Sequence, residues 1–173
     1  MVAFRELQRD DLPFLVSVRN ECRAMLHDDS EFTLAQAQQW FDSKHPRFYI
    51  ATEGGKPIGY FRTSNWEEPN RRVYVGFDLH KDYRGKGLAQ AAYRVFLRHL
   101  FVGCGMNKVS LEVLEHNERA MCLYQRLGFA LEGVKRQDVW RDGRYLDNLL
   151  FSMLKSEFNA HYGSGDQRGQ QSS

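Results

Sequence analysis

The residues Asp78-Leu79-His80-Lys81-Asp82-Tyr83-Arg84-Gly85-Lys86-Gly87-Leu88-Ala89 carry the most readable chemistry in the chain. They lead from an alternating apolar segment into one with helical spacing, so they join a strand to a helix N-terminus. Glycines at such a junction let the backbone curl until several N–H groups point into one small space. The helix dipole adds partial positive charge there. A nest of this kind binds a phosphate or pyrophosphate. Spacing excludes two familiar versions: G-x-x-x-x-G-K-[ST] does not occur, and Gly85-x-Gly87 is followed by Gln90 where a nicotinamide-dinucleotide fingerprint needs Gly or Ala. A bare glycine pair would equally suit a hairpin turn with Arg84 and Lys86 in solvent.

Other reactive side chains form weaker patterns. The six histidines include no H-E-x-x-H, and Glu115-His116 is an isolated pair, so no catalytic metal is expected. Cys22, Cys104 and Cys122 are odd in number and lack a C-x-x-C, which argues against a disulfide scaffold or zinc ribbon and suits a reducing, cytoplasmic setting. Cys122 reads as a buried, inert thiol. With 24 basic and 22 acidic residues, the chain gives no support to a nucleic-acid partner held through phosphates. The apolar runs are far shorter than the roughly 20 residues that span a bilayer, so no membrane association is expected. The chain opens with no charged and then apolar leader.

The elements that must position these residues follow from periodicity. A chain of 173 residues, 42% apolar and 13% aromatic, is the size of one domain with one main core. Val2 to Leu7 alternates as a half-buried strand. Asp10-Asp11 and Pro13 open a helix carrying Leu12, Leu15 and Val16. Thr33-Leu34-Ala35-Gln36 has the form of a capping box before a second helix, which ends at His45-Pro46. Strands are expected over 48–52, 57–62 and 70–79 as a hairpin meander. A long helix then buries Leu88, Ala91, Ala92, Val95 and His99 and stops at Gly103. A strand over 108–114 precedes a helix capped by Asn117, bearing Ala120, Leu123, Tyr124 and Leu127 on one face and stopped by Gly128. Strands near 129–134 and 145–154 complete a domain over 1–158. Residues 159–173, rich in Gly, Ser and Gln, read as a disordered tail. The order β-α-α-β-β-β-α-β-α-β-β defines an α+β fold, a mixed sheet with helices on its faces.

Two stretches together resemble a known family. Arg84-x-x-Gly87-x-Ala89 is similar to the Q/R-x-x-G-x-G/A signature of the GNAT superfamily of acyl-CoA N-acyltransferases. Downstream, Asn117-x-x-Ala120-x-x-Leu123-Tyr124-x-x-Leu127-Gly128-Phe129 resembles that superfamily's last conserved segment, at the usual distance from the first. The likeness covers roughly residues 2 to 154 and points toward the branch that acetylates ribosomal proteins, amino sugars and polyamines. It implies a mostly antiparallel sheet with helices on both faces, splayed where acetyl-CoA binds as cosubstrate.

The implied chemistry assigns roles. An alkylamine of pKa about 10.4 is neutral in only about one molecule in a thousand at pH 7. The enzyme must therefore take a proton from the amine, hold an oxyanion and protonate the departing thiolate. By resemblance Tyr124 is the general acid and Glu112 the base, with Tyr74 and Asp78 in reserve. Periodicity alone fits Tyr124 as a core residue and Glu112 as a solvent-facing one. Phe77, Asp78 and Leu79 would offer free backbone to the pantetheine at the splay, and Gly76 reads as a bulge. Arg84, Gly85, Lys86, Gly87, Leu88, Ala89 and Gln90 would cradle the pyrophosphate, and Asn117 would add a contact to its role as cap.

For the acceptor, Arg19-Asn20 with Arg23, and Asp142-Gly143-Arg144-Tyr145-x-Asp147, resemble enzymes acting on nucleotide-linked 4-amino sugars, whose diphosphate would suit arginines. Asp28, Asp29, Glu31, Glu67 and Glu68, beside Trp40 and Trp66, suit a polyamine or a peptide N-terminus instead. A non-catalytic acyl-CoA sensor is the alternative of another class. Lys135-Arg136, Arg141 and Arg144 read as a solvated hairpin. The resemblance also allows a homodimer.

Overall fold

The computed structural model describes residues 1–163. The chain runs β1 (Val2–Glu6), α1 (Leu12–Cys22), α2 (Leu34–Lys44), β2 (Phe48–Glu53), β3 (Lys56–Glu67), β4 (Arg72–Leu79), α3 (Leu88–Arg98), β5 (Lys108–Leu114), α4 (Glu118–Leu127), β6 (Ala130–Arg141), β7 (Arg144–Leu154) and α5 (Lys155–Tyr162). One seven-stranded sheet has the order β1-β2-β3-β4-β5-β7-β6. Every neighbouring pair is antiparallel except β4–β5.

Each sheet face buries its own cluster. Leu12, Leu15 and Val18 of α1 and Ala37 of α2 pack on Ile50 and Tyr60. On the opposite face Ala92, Tyr93, Phe96 and Leu97 of α3, Leu127 of α4 and Phe158 of α5 close over Phe61, Val73, Val75, Val109 and Leu111. Phe61 is sandwiched there, its ring centroid 4.3 Å from Phe77 and 4.1 Å from Phe96. Offset aromatic pairs of this kind add about 0.5–1.5 kcal/mol each beyond their buried area.

Helix boundaries follow the caps. The Gln36 amide donates to Thr33 Oγ1 at 3.2 Å while the Thr33 amide donates to Gln36 Oε1 at 2.8 Å, a reciprocal capping box. Asn117 Oδ1 accepts from the Ala120 amide at 3.2 Å, and α4 stops at Gly128 with φ +93°.

Four expectations are corrected. The buried stripe of α3 is Ala92, Tyr93, Phe96 and Leu97, whereas Val95 is 40% exposed. The bulge expected at Gly76 is absent: Arg62 and Gly76 pair in register, and the irregularity in β3–β4 lies between Ser64 and Glu67. Cys122 is exposed rather than buried. Order also continues past 158, because α5 runs to Tyr162. Phe158 stacks on Phe101 at 4.9 Å, and the Tyr162 hydroxyl donates to Leu127 O at 2.7 Å. These aromatics bury enough surface to dock a short polar helix. The remainder of the expected tail, from 164, lies outside the described residues.

Candidate active site

β4 and β5 pair only at Arg72–Lys108, Val73–Val109 and Tyr74–Ser110. Beyond that rung β4 stays with β3 as far as Gly59–Leu79, and β5 stays with β7 as far as Leu114–Asn148. The sheet therefore forks. Gly59 holds β3 and β4 together tightly; a Cβ there would sit 2.3 Å from Asp78 O. The fork opens into a cleft of about 610 Å³, walled by Phe77, Asp78 and Leu79 on one side and Glu112 and Val113 on the other. β4 thus presents backbone groups that have no β5 partner to a space a ligand can enter.

At one end the cleft meets the glycine turn. Gly85 and Gly87 have φ +78° and +73°, a region that costs other L-residues about 1–2 kcal/mol. A Cβ on either would meet nothing within 4 Å, so the approach from solvent is open. Gly87 caps α3 without a side-chain bond, and the Ala91 amide donates to Gly87 O at 3.2 Å. Among the described residues, the first-turn amides of Leu88, Ala89 and Gln90 are thus left without a side-chain acceptor, as an anion site requires. A pyrophosphate fits this cradle. Arg84 closes its side, with Nε donating to Leu79 O at 3.1 Å and Nη2 to Cys22 Sγ at 3.2 Å. Burial, foremost, pushes the Cys22 thiol up to about 11, so it remains a neutral wall.

Tyr124 stands in the same cleft, 7% exposed, its ring 5.8 Å from that of Tyr93. Burial raises its phenol above the ordinary value, and the neighbouring Tyr93 hydroxyl and Arg62 charge offset only part of that. It therefore holds its proton at neutral pH, as a donor to a thiolate must. Glu112 on the facing strand accepts from Asn148 Nδ2 at 2.6 Å and Lys135 Nζ at 2.5 Å, with His27 Nε2 at 3.6 Å. Burial pushes its carboxyl up, but the bonds from Lys135 and Asn148 outweigh this and hold it below the ordinary range. It is an anion that already binds an ammonium.

The fork brings Phe77, Asp78, Leu79, Arg84, Gly85, Gly87, Leu88, Ala89, Gln90, Glu112, Asn117 and Tyr124 around one space. Lys86 is left out of it. Its Nζ lies 5.7 Å over the Tyr83 ring, and the residue is exposed. Tyr74 forms the last paired rung and does not line the cleft. Glu67 and Glu68 lie at the far end of β3, engaged by Arg72 at 2.7 Å and by Trp66 at 2.8 Å. Of the arginines suited to a diphosphate, Arg23 and Arg144 are exposed and Arg19 is turned inward. Arg19 donates to Ser30 O at 2.7 Å and to Asp28 at 3.0 Å. Arg141, expected in solvent, is 7% exposed and donates to Ala24 O at 2.9 Å and Leu26 O at 2.6 Å. Arg62, not anticipated from periodicity, also lines the cleft. The available signal was a charged residue inside the apolar run Ile58-Gly59-Tyr60-Phe61-Arg62.

A forked α+β sheet, a helix N-terminus opened by glycines and a buried phenol beside the fork define a class. Residues 3–129 match the model of the acetyltransferase (GNAT) family, and the chain belongs to that family. Particular relatives narrow the field. The SPbeta prophage-derived uncharacterized N-acetyltransferase YokL of Bacillus subtilis is 28% identical over 117 residues, covering 68% of this chain and just under two thirds, 66%, of that protein. The spermidine N(1)-acetyltransferase of Escherichia coli K12 is 24% identical over 169 residues, covering 93% and 90% of the two chains. The crystal structure of spermidine N-acetyltransferase from Vibrio cholerae in complex with CoA and spermine superposes with a TM-score of 0.85 at 21% identity, over 91% of this chain and 97% of that one, and shows the same fold. Among the described residues, no group of three His, Cys, Asp or Glu could hold a metal ion, and no helix is long and apolar enough to cross a membrane.

Proposed function

We propose that this chain transfers the acetyl group of acetyl-CoA to a primary amine of a small polycation of the polyamine class, in the cytoplasm. The observation that carries the reading is Glu112, an ionised carboxylate inside the cleft that already binds the Lys135 ammonium, within the same space as Tyr124. An acceptor ammonium brought to this carboxylate would lie beside the fork that receives the thioester. Exposed Glu31 on the α1–α2 segment suits a remaining charge of such an amine, Asp28 and Asp29 being engaged by Arg19 at 3.0 Å and by Arg141 at 3.1 Å. The full-length likeness to a spermidine acetyltransferase supports the same class. The nucleotide-linked amino sugar is not retained, since Arg19 is spent on Asp28 and Ser30 and the relatives reported above with a stated acceptor act on spermidine.

In this reading the pyrophosphate of acetyl-CoA lies on the Gly85–Gln90 turn and the pantetheine pairs with β4 at Phe77–Leu79. The amine gives its proton to solvent through Glu112, and a carboxylate of depressed pKa passes that proton on instead of keeping it. The neutral nitrogen attacks the thioester carbon, the C–S bond breaks, the sulfur takes the Tyr124 proton, and the nitrogen gives up its extra proton to solvent, from which Tyr124 is reprotonated. Thiol release from acetyl-CoA should be measured with spermidine, with a nucleotide-linked 4-amino sugar and with peptides bearing free N-termini. Turnover is expected with spermidine. Turnover confined to either other set would overturn the assignment.

A further inference from the structure

The fork holds a second fixed charge that the mechanism above does not use. Arg62 stands opposite Gly76 across the β3–β4 ladder. A Cβ on Gly76 would lie 2.6 Å from Arg62 Nη2 and 3.0 Å from both Cζ and Nε, so the guanidinium lies flat over the glycine and reaches across β4 into the cleft. Gly76 has ordinary backbone torsions, so it is needed for this room and not for its own conformation. Asp78 neutralises the charge through one contact, Nη2 to Oδ1 at 3.2 Å. That single contact leaves Arg62 Nε and Asp78 Oδ2 buried with no hydrogen-bond partner among the described residues. A buried donor without an acceptor costs about 1–3 kcal/mol, while the rest of the side chain, 36% exposed, reaches the cleft and is open to a use there. Its surroundings suggest one. Tyr124 and Tyr93 both lie close enough to feel the Arg62 charge, and Gly76 is the second residue past the last β4–β5 rung.

We infer that Arg62 is a catalytic residue of the acyl transfer proposed above, its free guanidinium N–H groups receiving the negative charge that forms on the thioester oxygen. When the amine nitrogen bonds to the carbonyl carbon, the C=O electron pair moves to oxygen. When the carbonyl reforms, the pair of the C–S bond leaves with sulfur, which takes the Tyr124 proton, while the extra proton on nitrogen passes to solvent and solvent reprotonates Tyr124. Arg62 keeps its own protons throughout and acts as a fixed donor. It adds to the β4 backbone without replacing it. A preorganised cation here has no reorganisation to pay at the moment of reaction.

The test rests on the acetyltransferase reading and separates from it, because wild-type thiol release with spermidine is measured first. Removing one such donor lowers kcat by about 10²–10³. Arg62→Met should show a loss of that size with the acetyl-CoA Kd, by calorimetry, and the amine KM both within about threefold. Guanidinium added to Arg62→Ala should restore part of the lost rate, which a purely structural role would not permit. Because Arg62→Met strands Asp78, the comparison is repeated as Arg62→Met/Asp78→Asn against Asp78→Asn alone, with folding followed by circular dichroism. A double variant at least about tenfold slower than Asp78→Asn supports the inference. A wild-type enzyme that turns over while Arg62→Met stays within threefold of it in kcat, or a double variant no slower than Asp78→Asn, overturns it.

Discussion

Between Arg72 and Tyr74, β4 lies against Lys108–Ser110 of β5 as an ordinary parallel pair. Two residues further on, the same strands face each other across a cleft. At the paired end the charges are exposed and matched locally, as Arg72 is with Glu67 at 2.7 Å. At the open end they are buried and incompletely matched: Arg62 Nε, Asp78 Oδ2, Tyr93 Oη and Asn148 Oδ1 all lack hydrogen-bond partners among the described residues. One pair of strands therefore builds stability at one end and leaves bonding capacity at the other. The difference comes from which neighbour each strand follows, since β3 keeps β4 and β7 keeps β5.

Substitutions at the open end should lower activity with little change in folding. The largest effect is expected for Tyr124→Phe. Removing a general acid lowers turnover by about 10²–10⁴-fold, while acetyl-CoA affinity should persist in calorimetry. Loss of both binding and fold would make Tyr124 a core residue only. Glu112→Gln comes next, with a fall in kcat/KM of about 10²-fold, the lower end of the range for acid–base groups. Because the folded carboxyl lies below its ordinary value, the Glu112-dependent activity should be flat through neutral pH and fall only below about pH 4.3. Lys135→Met removes a partner that holds the carboxyl down, so the acid limb of kcat/KM should move to higher pH. A limb that does not move would sever Glu112 from the proton path.

Gly87→Ala tests the nest. The left-handed strain of about 1–2 kcal/mol, applied where the phosphates would sit, should weaken acetyl-CoA binding by about tenfold. Unchanged affinity would move the pyrophosphate elsewhere. The smallest effect on activity is expected at the far edge of the sheet. Asp11 takes both Arg5 guanidinium nitrogens at 2.6 Å and the Gln8 amide at 2.9 Å. Burial alone would raise its carboxyl, but Arg5 and the Gln8 amide lower it on balance. Its contribution is thus full above the unfolded value of about 3.9 and is lost as pH falls through the lower folded one. Asp11→Asn should cost about 1–3 kcal/mol in chemical denaturation and leave kcat unchanged. A matching loss of kcat would mean the two ends of the molecule are coupled.

The order of elements was legible because each depends on near neighbours in sequence: the Thr33–Gln36 box, the Asn117 cap, the alternation of Val73, Val75 and Phe77. The glycine turn was legible for the same reason. What periodicity missed lies between residues far apart. Arg141 meets Ala24 across 117 positions, and nothing near either residue predicts the meeting. The space above Gly76 belongs to a side chain on another strand, so the glycine read as a bulge. Glu67 and Glu68 were grouped with the acceptor pocket by charge alone, although β3 carries them to the paired end. α5 was not read as a helix at all, because its polar composition hides the two aromatics that dock it.

The Arg141 contacts also bear on how such a protein can change over evolutionary time. The surfaces that the proposed reaction offers to the coenzyme come mainly from one continuous stretch, 76–90. The segment after α1, which lines the cleft at Ala24, Met25, Leu26 and His27, is stitched to the β6–β7 hairpin behind it by Arg141. A lineage can therefore keep its coenzyme cradle intact while altering its choice of amine. It cannot trade the early segment without the late one, since each supplies the other's hydrogen-bond partners. New acceptor specificities should consequently arise through paired changes near residues 24–29 and 135–148, and grafts of a single loop should yield enzymes that bind acetyl-CoA and transfer it poorly.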